Sequence, residues 1–469
     1  NQRKIHHSSA GQISQPGILD MLLWYFRRTY PYEAKKTKTT GKMKGTFFIE
    51  TYGCQMNVSD SELVTSILIN AGWKPAESID AADLLLFNTC SVRQHAEDRV
   101  LGRIANEKSR KQNKPNLKIG VLGCMAQRMG KRLRETESGV DYVVGVDQYH
   151  LLPSMLEEET PLNVSFDFTQ IYPGIPPAHS NKTNAFITIM RGCNNYCTYC
   201  IVPYVRGRER SVAMDDILNE AKKCVEKGLR EITLLGQNVN SYEYSNIHFP
   251  ELLNELCKIE GLYRLRFITS HPKDLSDQLI EVMARQPKIC NHIHLPLQSG
   301  DNSVLHAMNR KYTIEHYTNL INKLRNAIPD IAITTDLIAG FPGENETCFA
   351  NTLTAMQNIL FDYAFCFKYS ERSGTKAAEY INQIPESVRL KRLQTMIDLQ
   401  RDITLQKFRN QIGNTVEVYV ENISKKSSQQ VSGKTRDYKI AVLPGSQSDI
   451  GTLRSATVKD ATSGTLVCG

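Results

Sequence analysis

No stretch of this 469-residue chain approaches the ~20 consecutive apolar residues that a membrane-spanning helix needs. The nearest, Ile18 to Phe26, is short and runs into Arg27 and Arg28. The sequence reads without a secretory signal, and none is expected. Beyond the N-terminus there is no disorder signature and no solenoid repeat. These absences argue against membrane insertion and repeat arrays, and the expected location is the cytoplasm. A large charge excess is missing too: 57 basic residues against 49 acidic ones give +8, which favours a polyanionic partner only weakly. Twelve cysteines without an export signal argue against a disulfide scaffold and fit a reducing compartment in which several thiols hold metal.

The length predicts about three domains. Residues 1–44, with His6-His7 and a cationic stretch from Lys35 to Lys44, read as a poorly structured extension. From 45 to 160, apolar strands at Thr46–Thr51, Asp83–Phe87 and Lys118–Leu122 alternate with helices near Val58–Ala71, Val92–Arg110 and Gln127–Glu137. That rhythm predicts a parallel α/β sheet. Residues 161–183, rich in Pro and Gly, read as a linker. From 184 to 410 six further strands are expected at Ala185–Met190, Glu231–Leu235, Arg264–Thr269, His292–Leu297, Ile331–Ile338 and Tyr363–Phe367. The longest helical segment between them is read from Asn302 to Ala327. Six strand–helix units predict a partial (β/α)6 barrel with its site at the C-terminal strand ends. Residues 411–469 alternate with period two and read as a small all-β barrel.

Cys193, Cys197 and Cys200 fall within Arg191-Gly192-Cys193-Asn194-Asn195-Tyr196-Cys197-Thr198-Tyr199-Cys200, directly after the first barrel strand. Three thiolates in one short loop can hold three irons of a cubane and leave the fourth open, whereas electron-transfer clusters use four cysteines. A zinc loop would want a fourth ligand nearby, and neither a Cys-x-x-Cys nor a His pair follows Cys200. Cys54, Cys90 and Cys124 form a second trio, each just past the end of an apolar strand. In a parallel sheet those ends line up along one edge, so the three thiols are expected to converge. Gly53 and Gly123 precede two of them, where the backbone must turn sharply or approach something bulky. The trio reads as a second three-thiolate cluster; small residues falling after strands by chance are the alternative. The remaining cysteines read mostly as packing residues.

These residues carry a family resemblance. Tyr52-Gly53-Cys54-Gln55-Met56-Asn57, Asn88-Thr89-Cys90-Ser91-Val92-Arg93, Gly123-Cys124-Met125-Ala126-Gln127 and the Cys193–Cys200 loop resemble the radical-SAM methylthiotransferases. So do Gly236-Gln237-Asn238, His294-Leu295-Pro296-Leu297-Gln298-Ser299-Gly300 and Thr335-Asp336 through Gly340-Phe341-Pro342-Gly343-Glu344. The C-terminal segment resembles the RNA-binding TRAM barrel. Within the family the likeness is greatest to the branch that modifies isopentenyladenosine in tRNA. The threonylcarbamoyladenosine branch comes next, then the branch acting on a ribosomal protein. Val212 departs from the arginine the family often places there.

The resemblance implies two 4Fe–4S clusters, one on each trio, with S-adenosylmethionine (SAM) as both methyl donor and radical source. The reaction implied is methylthiolation at carbon 2 of isopentenyladenosine beside the anticodon. The implied partners are the tRNA anticodon stem–loop and an external flavodoxin- or ferredoxin-like reductant, with no membrane. Gln237, Asn238, Gln298, Ser299, Asp336 and Gly340, at strand ends, are the candidates for binding SAM. Tyr204, Arg206, Arg208 and Arg210 just past the cysteine loop, with Lys425, Lys426, Lys434 and Arg436 in the terminal barrel, are the candidates for binding RNA. A non-catalytic two-cluster redox or carrier protein with an RNA-binding tail is the competing class.

Overall fold

The computed structural model describes residues 44–469 apart from 92, 93, 137, 138, 173, 180 and 182, so the expected N-terminal extension lies outside the described residues except for Lys44. The first sheet contains β1 (Gly45–Tyr52), β2 (Trp73–Pro75), β3 (Leu84–Thr89), β4 (Lys118–Leu122), β5 (Tyr142–Val144) and β6 (Leu162–Asn163), in the order β2-β1-β3-β4-β5-β6 and parallel throughout. β3 is buried along its whole length. Its unbroken apolar run reflects a strand covered on both faces. β2, β5 and β6 have too few residues to show a period, and composition did not reveal them. β6 falls inside the stretch read as a linker.

The first and third helices start earlier than their apolar patterns suggested, and the second is described from Gln94 against the expected Val92. α1 (Gln55–Asn70) begins immediately after Cys54, and α2 (Gln94–Arg110) follows β3. α3 (Gly123–Met129) begins at the end of β4, so Cys124 sits in its first turn. Gly130, with φ +49°, ends it, and the helix expected from Gln127 is therefore two short pieces.

The central strands are β7 (Asn184–Thr188), β8 (Glu231–Leu235), β9 (Arg264–Phe267), β10 (His292–His294), β11 (Ala332–Ala339) and β12 (Tyr363–Lys368). They form two parallel ribbons, β9-β8-β7 and β10-β11-β12, bridged between Leu265 and Ile289. The largest apolar cluster lies between this open barrel and its outer helices. α4 (Val202–Arg206) follows the cysteine loop, and α5 (Glu386–Arg409) leaves the barrel. The helix expected from Asn302 to Ala327 is broken: segments Asn302–Ala307 and Ile314–Ala327 flank a turn at Asn309, where φ is +58°. Among the described residues no helix is long and apolar enough to cross a membrane.

The last domain is a closed barrel of β13 (Thr415–Ile423), β14 (Gln430–Thr435), β15 (Ile440–Pro444), β16 (Leu453–Ala461) and β17 (Leu466–Cys468), in the order β13-β14-β15-β17-β16. It docks on the N-terminal ends of the central strands. Arg264 donates to the Lys434 carbonyl at 2.6 Å and to Glu417 at 2.8 Å. Arg266 donates to the carbonyls of Thr435 and Arg436 at 2.7 and 3.0 Å. Tyr438 stacks on His292 with centroids 4.6 Å apart. Glu231, buried between the two guanidiniums, pairs with Arg266 at 3.1 Å.

This docking corrects two expectations about RNA contact. Lys434 is buried and paired with Glu421 at 3.1 Å. Arg436 caps the carbonyls of Pro287 and Ile289 at 2.7 and 2.8 Å. Lys434 is thus paired inside the terminal barrel and Arg436 reaches across to the central domain, while Lys425 and Lys426 remain exposed on the β13–β14 connection.

Burial opposes the charge on Glu231, but Arg266, Lys434 and Arg264 outweigh it and hold its pKa below the ordinary 4.5. Its stabilisation is therefore complete above about 4.5 and is lost as pH falls through the lower folded value. Glu231→Gln should lower stability at neutral pH by about 3–5 kcal/mol, the cost of stranding a buried partner. It should also remove that part of the acid-side slope in unfolding curves measured between neutral and acidic pH.

Candidate iron–sulfur and RNA site

The cysteine loop leaves β7 through an antiparallel pairing of Met190–Arg191 with Arg210–Ser211. Gly192 adopts φ +81°, and a Cβ there would stand 1.9 Å from the Arg208 carbonyl oxygen. No side chain fits. Its N–H donates to Gln237 Oε1 at 2.5 Å, and the Cys193 N–H donates to the Gly207 carbonyl at 3.1 Å. Thr198 ties the loop to the broken helix, its N–H donating to Met308 O at 3.1 Å and its hydroxyl to Ala307 O at 2.9 Å. Cys193 and Cys197 are buried and Cys200 partly so. Burial pushes the Cys193 thiol up to about 11 and raises Cys200 further, so ligation here has to release protons.

Arg310, in the turn between the broken helix segments, donates to Cys197 Sγ at 3.5 Å. Its other nitrogens reach Tyr312 Oη and the Pro296 carbonyl, both at 2.8 Å. Burial works against its charge, yet Tyr312, Tyr199 and Cys197 keep its pKa well above the ordinary value. A fixed cation therefore stands beside one of the three sulfurs. Sequence reading placed this residue inside a continuous helix and missed it; the uninterrupted apolar pattern gave no signal of the turn.

Cys54, Cys90 and Cys124 stand at the ends of three neighbouring strands of the first sheet. Cys54 is the N-cap of α1, and Asn57 Oδ1 accepts from the Cys54 N–H at 3.3 Å and from its Sγ at 3.5 Å. Asn57 Nδ2 continues to Asn88 Oδ1 at 3.1 Å, while Asn88 Nδ2 returns to the Asn57 carbonyl at 2.9 Å. These two buried amides fasten the start of α1 to the end of β3. A Cβ on Gly53 would lie 2.8 Å from Cys90 Cβ, and one on Gly123 would lie 2.6 Å from the Thr89 carbonyl. The three strand ends touch, which is why glycine precedes two of the cysteines. Cys90 and Cys124 are buried, and Cys54 is partly exposed. Arg206 Nε donates to Cys124 Sγ at 3.2 Å. Each trio thus has one buried guanidinium on one sulfur. Among the described residues no group of His, Cys, Asp or Glu gathers around a single ion. With three thiols in each trio and a cation beside one sulfur of each, the donor chemistry suits an anionic iron–sulfur group.

Asp60 connects the two trios. Its side chain is fully buried, accepting from Arg191 at 2.9 Å on one oxygen and from Arg206 at 2.8 Å on the other. Asp60 belongs to α1, which starts at Cys54, whereas Arg191 and Arg206 flank the Cys193–Cys200 loop. Burial raises the carboxyl pKa, but the two guanidiniums outweigh it and leave it below the ordinary value. Arg191 also lies 4.9 Å over the ring of Tyr172, which stacks on Tyr149 at 5.8 Å. The first turn of α1 covers the end of β7, with Ser59 and Thr188 hydroxyls 2.9 Å apart.

The other expected residues divide. Gln237 supports the cysteine loop. Asn238 is buried, donating to Asp274 at 2.7 Å, and its Oδ1 has no protein partner. Gln298 has φ +73° and bonds the Asp336 carbonyl at 2.8 Å; Asp336 stands 3.4 Å from His294 Nε2. Ser299 and Gly340 are committed elsewhere. Ser299 is fully buried against the Thr352 hydroxyl, and a Cβ on Gly340 would meet Arg389 at 2.3 Å. Neither offers a free surface to SAM. Among the arginines, Arg206 is inside the Asp60 triad and Arg210 pairs with buried Asp147 at 3.0 Å through both terminal nitrogens. Only Tyr204 and Arg208 of that run face outward, a correction that follows from the buried Asp60 and Asp147, which draw in the other two guanidiniums.

Gly192→Ala should reconstitute with about half the iron or less, read by iron and sulfide analysis, because the loop cannot accept a Cβ. Asp60→Asn should lower the unfolding midpoint by an amount equivalent to about 3–5 kcal/mol, the penalty for leaving buried partners uncompensated.

The radical SAM superfamily matches residues 187–356, and the uncharacterized protein family UPF0004 matches residues 46–145. The chain is similar in fold to a radical S-adenosylmethionine methyltransferase, TsrM, from Kitasatospora setae. One structure of it, with cobalamin and a [4Fe-4S] cluster bound, gives TM-score 0.54 at 13% identity over 72% of this chain and 77% of that one. Among curated proteins, the tRNA-2-methylthio-N(6)-dimethylallyladenosine synthase of Thermoanaerobacter sp. (strain X514) is 46% identical over 88% of this chain and 90% of its own length. Those of Carboxydothermus hydrogenoformans and Chloroherpeton thalassium are 47% and 44% identical, over 87% and 90% of this chain and 95% and 96% of their own lengths. With this identity along nearly the whole length, and two cysteine trios joined by one buried carboxylate, the chain belongs to the radical-SAM tRNA methylthiotransferase family.

Proposed function

We propose that the protein inserts a methylthio group at carbon 2 of N6-isopentenyladenosine beside the tRNA anticodon, with SAM as methyl donor and radical source. The observation that carries this reading is the pair of three-cysteine sites fastened to one another through Asp60. The relatives' names supply the substrate class. Bound to the two trios, iron–sulfur clusters would supply one-electron reduction of SAM and hold the sulfur to be transferred.

The protein's own residues supply the rest. Each trio would supply three thiolates to such a cluster, which would leave a coordination site for an exogenous ligand. Arg310 and Arg206 offset the negative charge that accumulates on Cys197 and Cys124. The amide oxygen of Asn238, buried and without a protein partner, is a ready acceptor for the amino group of SAM, and Asp336 with His294 lies at the end of the neighbouring strands. Asp60 holds the α1 start and the cysteine loop in one register, so that reactants meet without a search. Burial of Cys90, Cys124, Cys193 and Cys197 limits the access of water to the reacting atoms. Reducing equivalents come from an external protein of flavodoxin or ferredoxin type.

The test is anaerobic reconstitution followed by dithionite, SAM and tRNA bearing isopentenyladenosine, with nucleosides analysed by mass spectrometry. The expected product is the 2-methylthio nucleoside. It should disappear in the Cys54→Ala/Cys90→Ala/Cys124→Ala variant while SAM cleavage continues. Cleavage with no modified nucleoside would move the search to threonylcarbamoyladenosine tRNA or the ribosomal protein. No cleavage with both clusters loaded would sink the enzymatic reading in favour of a redox or carrier protein.

A further inference from the structure

The stretch between the first two domains, read from composition as a linker, is built into the site. Gln127 holds it at the Val164 carbonyl, at 2.6 Å, and Gln148 at the Ser165 carbonyl, at 2.9 Å. Asp147 accepts from the Asp167 N–H at 3.2 Å, and Arg210 donates to the Asp167 carbonyl at 2.5 Å. What this scaffold presents is a pair of aromatic rings. Phe166 and Phe168 are 37% and 56% exposed, with centroids 5.6 Å apart and planes 9° from parallel. Both cover Gly207: a Cβ there would lie 3.3 Å from Phe168 and 3.7 Å from Phe166. The Gly207 carbonyl is the acceptor for the Cys193 N–H. The rings therefore sit one peptide away from the cysteine loop. Around the same loop, Tyr196 and Tyr204 are 43% and 47% exposed and meet edge to face at 6.1 Å, and Arg208 is exposed beside Gly207.

Four exposed aromatic rings around one buried thiolate loop are too concentrated for scattered surface apolarity. Flat rings with an adjacent guanidinium suit nucleobases, which stack on aromatic faces while phosphates meet the cation. The buried trios add a further requirement. A base that reacts there must leave its own stack, and its neighbours then lose a stacking partner. We propose that Phe166 and Phe168 form a stacking platform for the unpaired nucleotides flanking the target adenosine in the RNA loop, with Arg208 on their phosphates. The inference rests on the reading that the substrate is RNA and adds the surface that holds the loop open.

The test uses the reconstituted full chain and a fluorescein-labelled anticodon stem–loop carrying isopentenyladenosine. Anisotropy should give a Kd about tenfold or more weaker for Phe166→Ala/Phe168→Ala, in the range of one lost base–aromatic stack. RNA-independent SAM cleavage should be unchanged. The single variant Phe168→Ala, which removes the more exposed ring, should weaken binding in the same direction, and Phe168→Trp should restore it. Wild-type affinity in both alanine variants overturns the platform. So does a loss of reduction by flavodoxin at unchanged RNA affinity, which would give this face to a protein partner. Because the platform is judged on the Kd ratio and the proposed reaction on product formation, failure of one is distinguishable from failure of the other.

Discussion

The rest of the site depends on one buried carboxylate. Asp60 brings a negative charge into the join between the first domain and the barrel, where two guanidiniums from opposite flanks of the cysteine loop take one oxygen each. Taking such ions out of water costs several kcal/mol apiece, recovered only when geometry and remaining hydrogen bonds are good. Two cations and one anion leave a positive excess, and the spare donor of Arg206 points at Cys124. Burial raises the pKa of that thiol, and Arg206 acts against the shift. Ligation of an anionic cluster at Cys124 would supply the missing negative charge. Cluster loading and the joining of the two domains would in this way share one electrostatic network.

The same economy of charge recurs at the other end of the barrel. Glu231, Arg264, Arg266 and Lys434 are all buried where the terminal domain docks. There the guanidiniums are used mainly for their hydrogen-bond forks, which reach backbone carbonyls of the docked barrel. Arginine suits that use because its planar donors can satisfy several carbonyls at once. Several basic residues that look like an RNA footprint in the sequence are thus structural, and of those candidates Arg208, Lys425 and Lys426 keep an exposed charge.

What could be read from the sequence followed physical strength. Long apolar strands such as β3 and the strand-end placement of Cys54, Cys90 and Cys124 were legible because period and position were unambiguous. The short strands β2, β5 and β6 were not, since their place comes from edge pairing with neighbours far away in the chain. Arg310 was hidden by an apolar pattern that continues through the turn carrying it. Arg206 and Lys434 were misread for a common reason: a cation's sequence neighbours do not disclose the carboxylate that will bury it. Asp60 had no local signal at all, because its partners come from the other domain.

Docking at the N-terminal strand ends also sets a length. The cysteine loop leaves the opposite end of the sheet, and β7, with its five residues, spans about 16 Å between the two. The barrel wall is therefore a ruler. A single nucleoside in contact with the cysteine loop cannot also touch the terminal barrel, whereas a base-paired stem with its loop has the reach to bridge both. Under the proposed function, folded shape as well as the identity of one base would be a criterion for choosing the substrate.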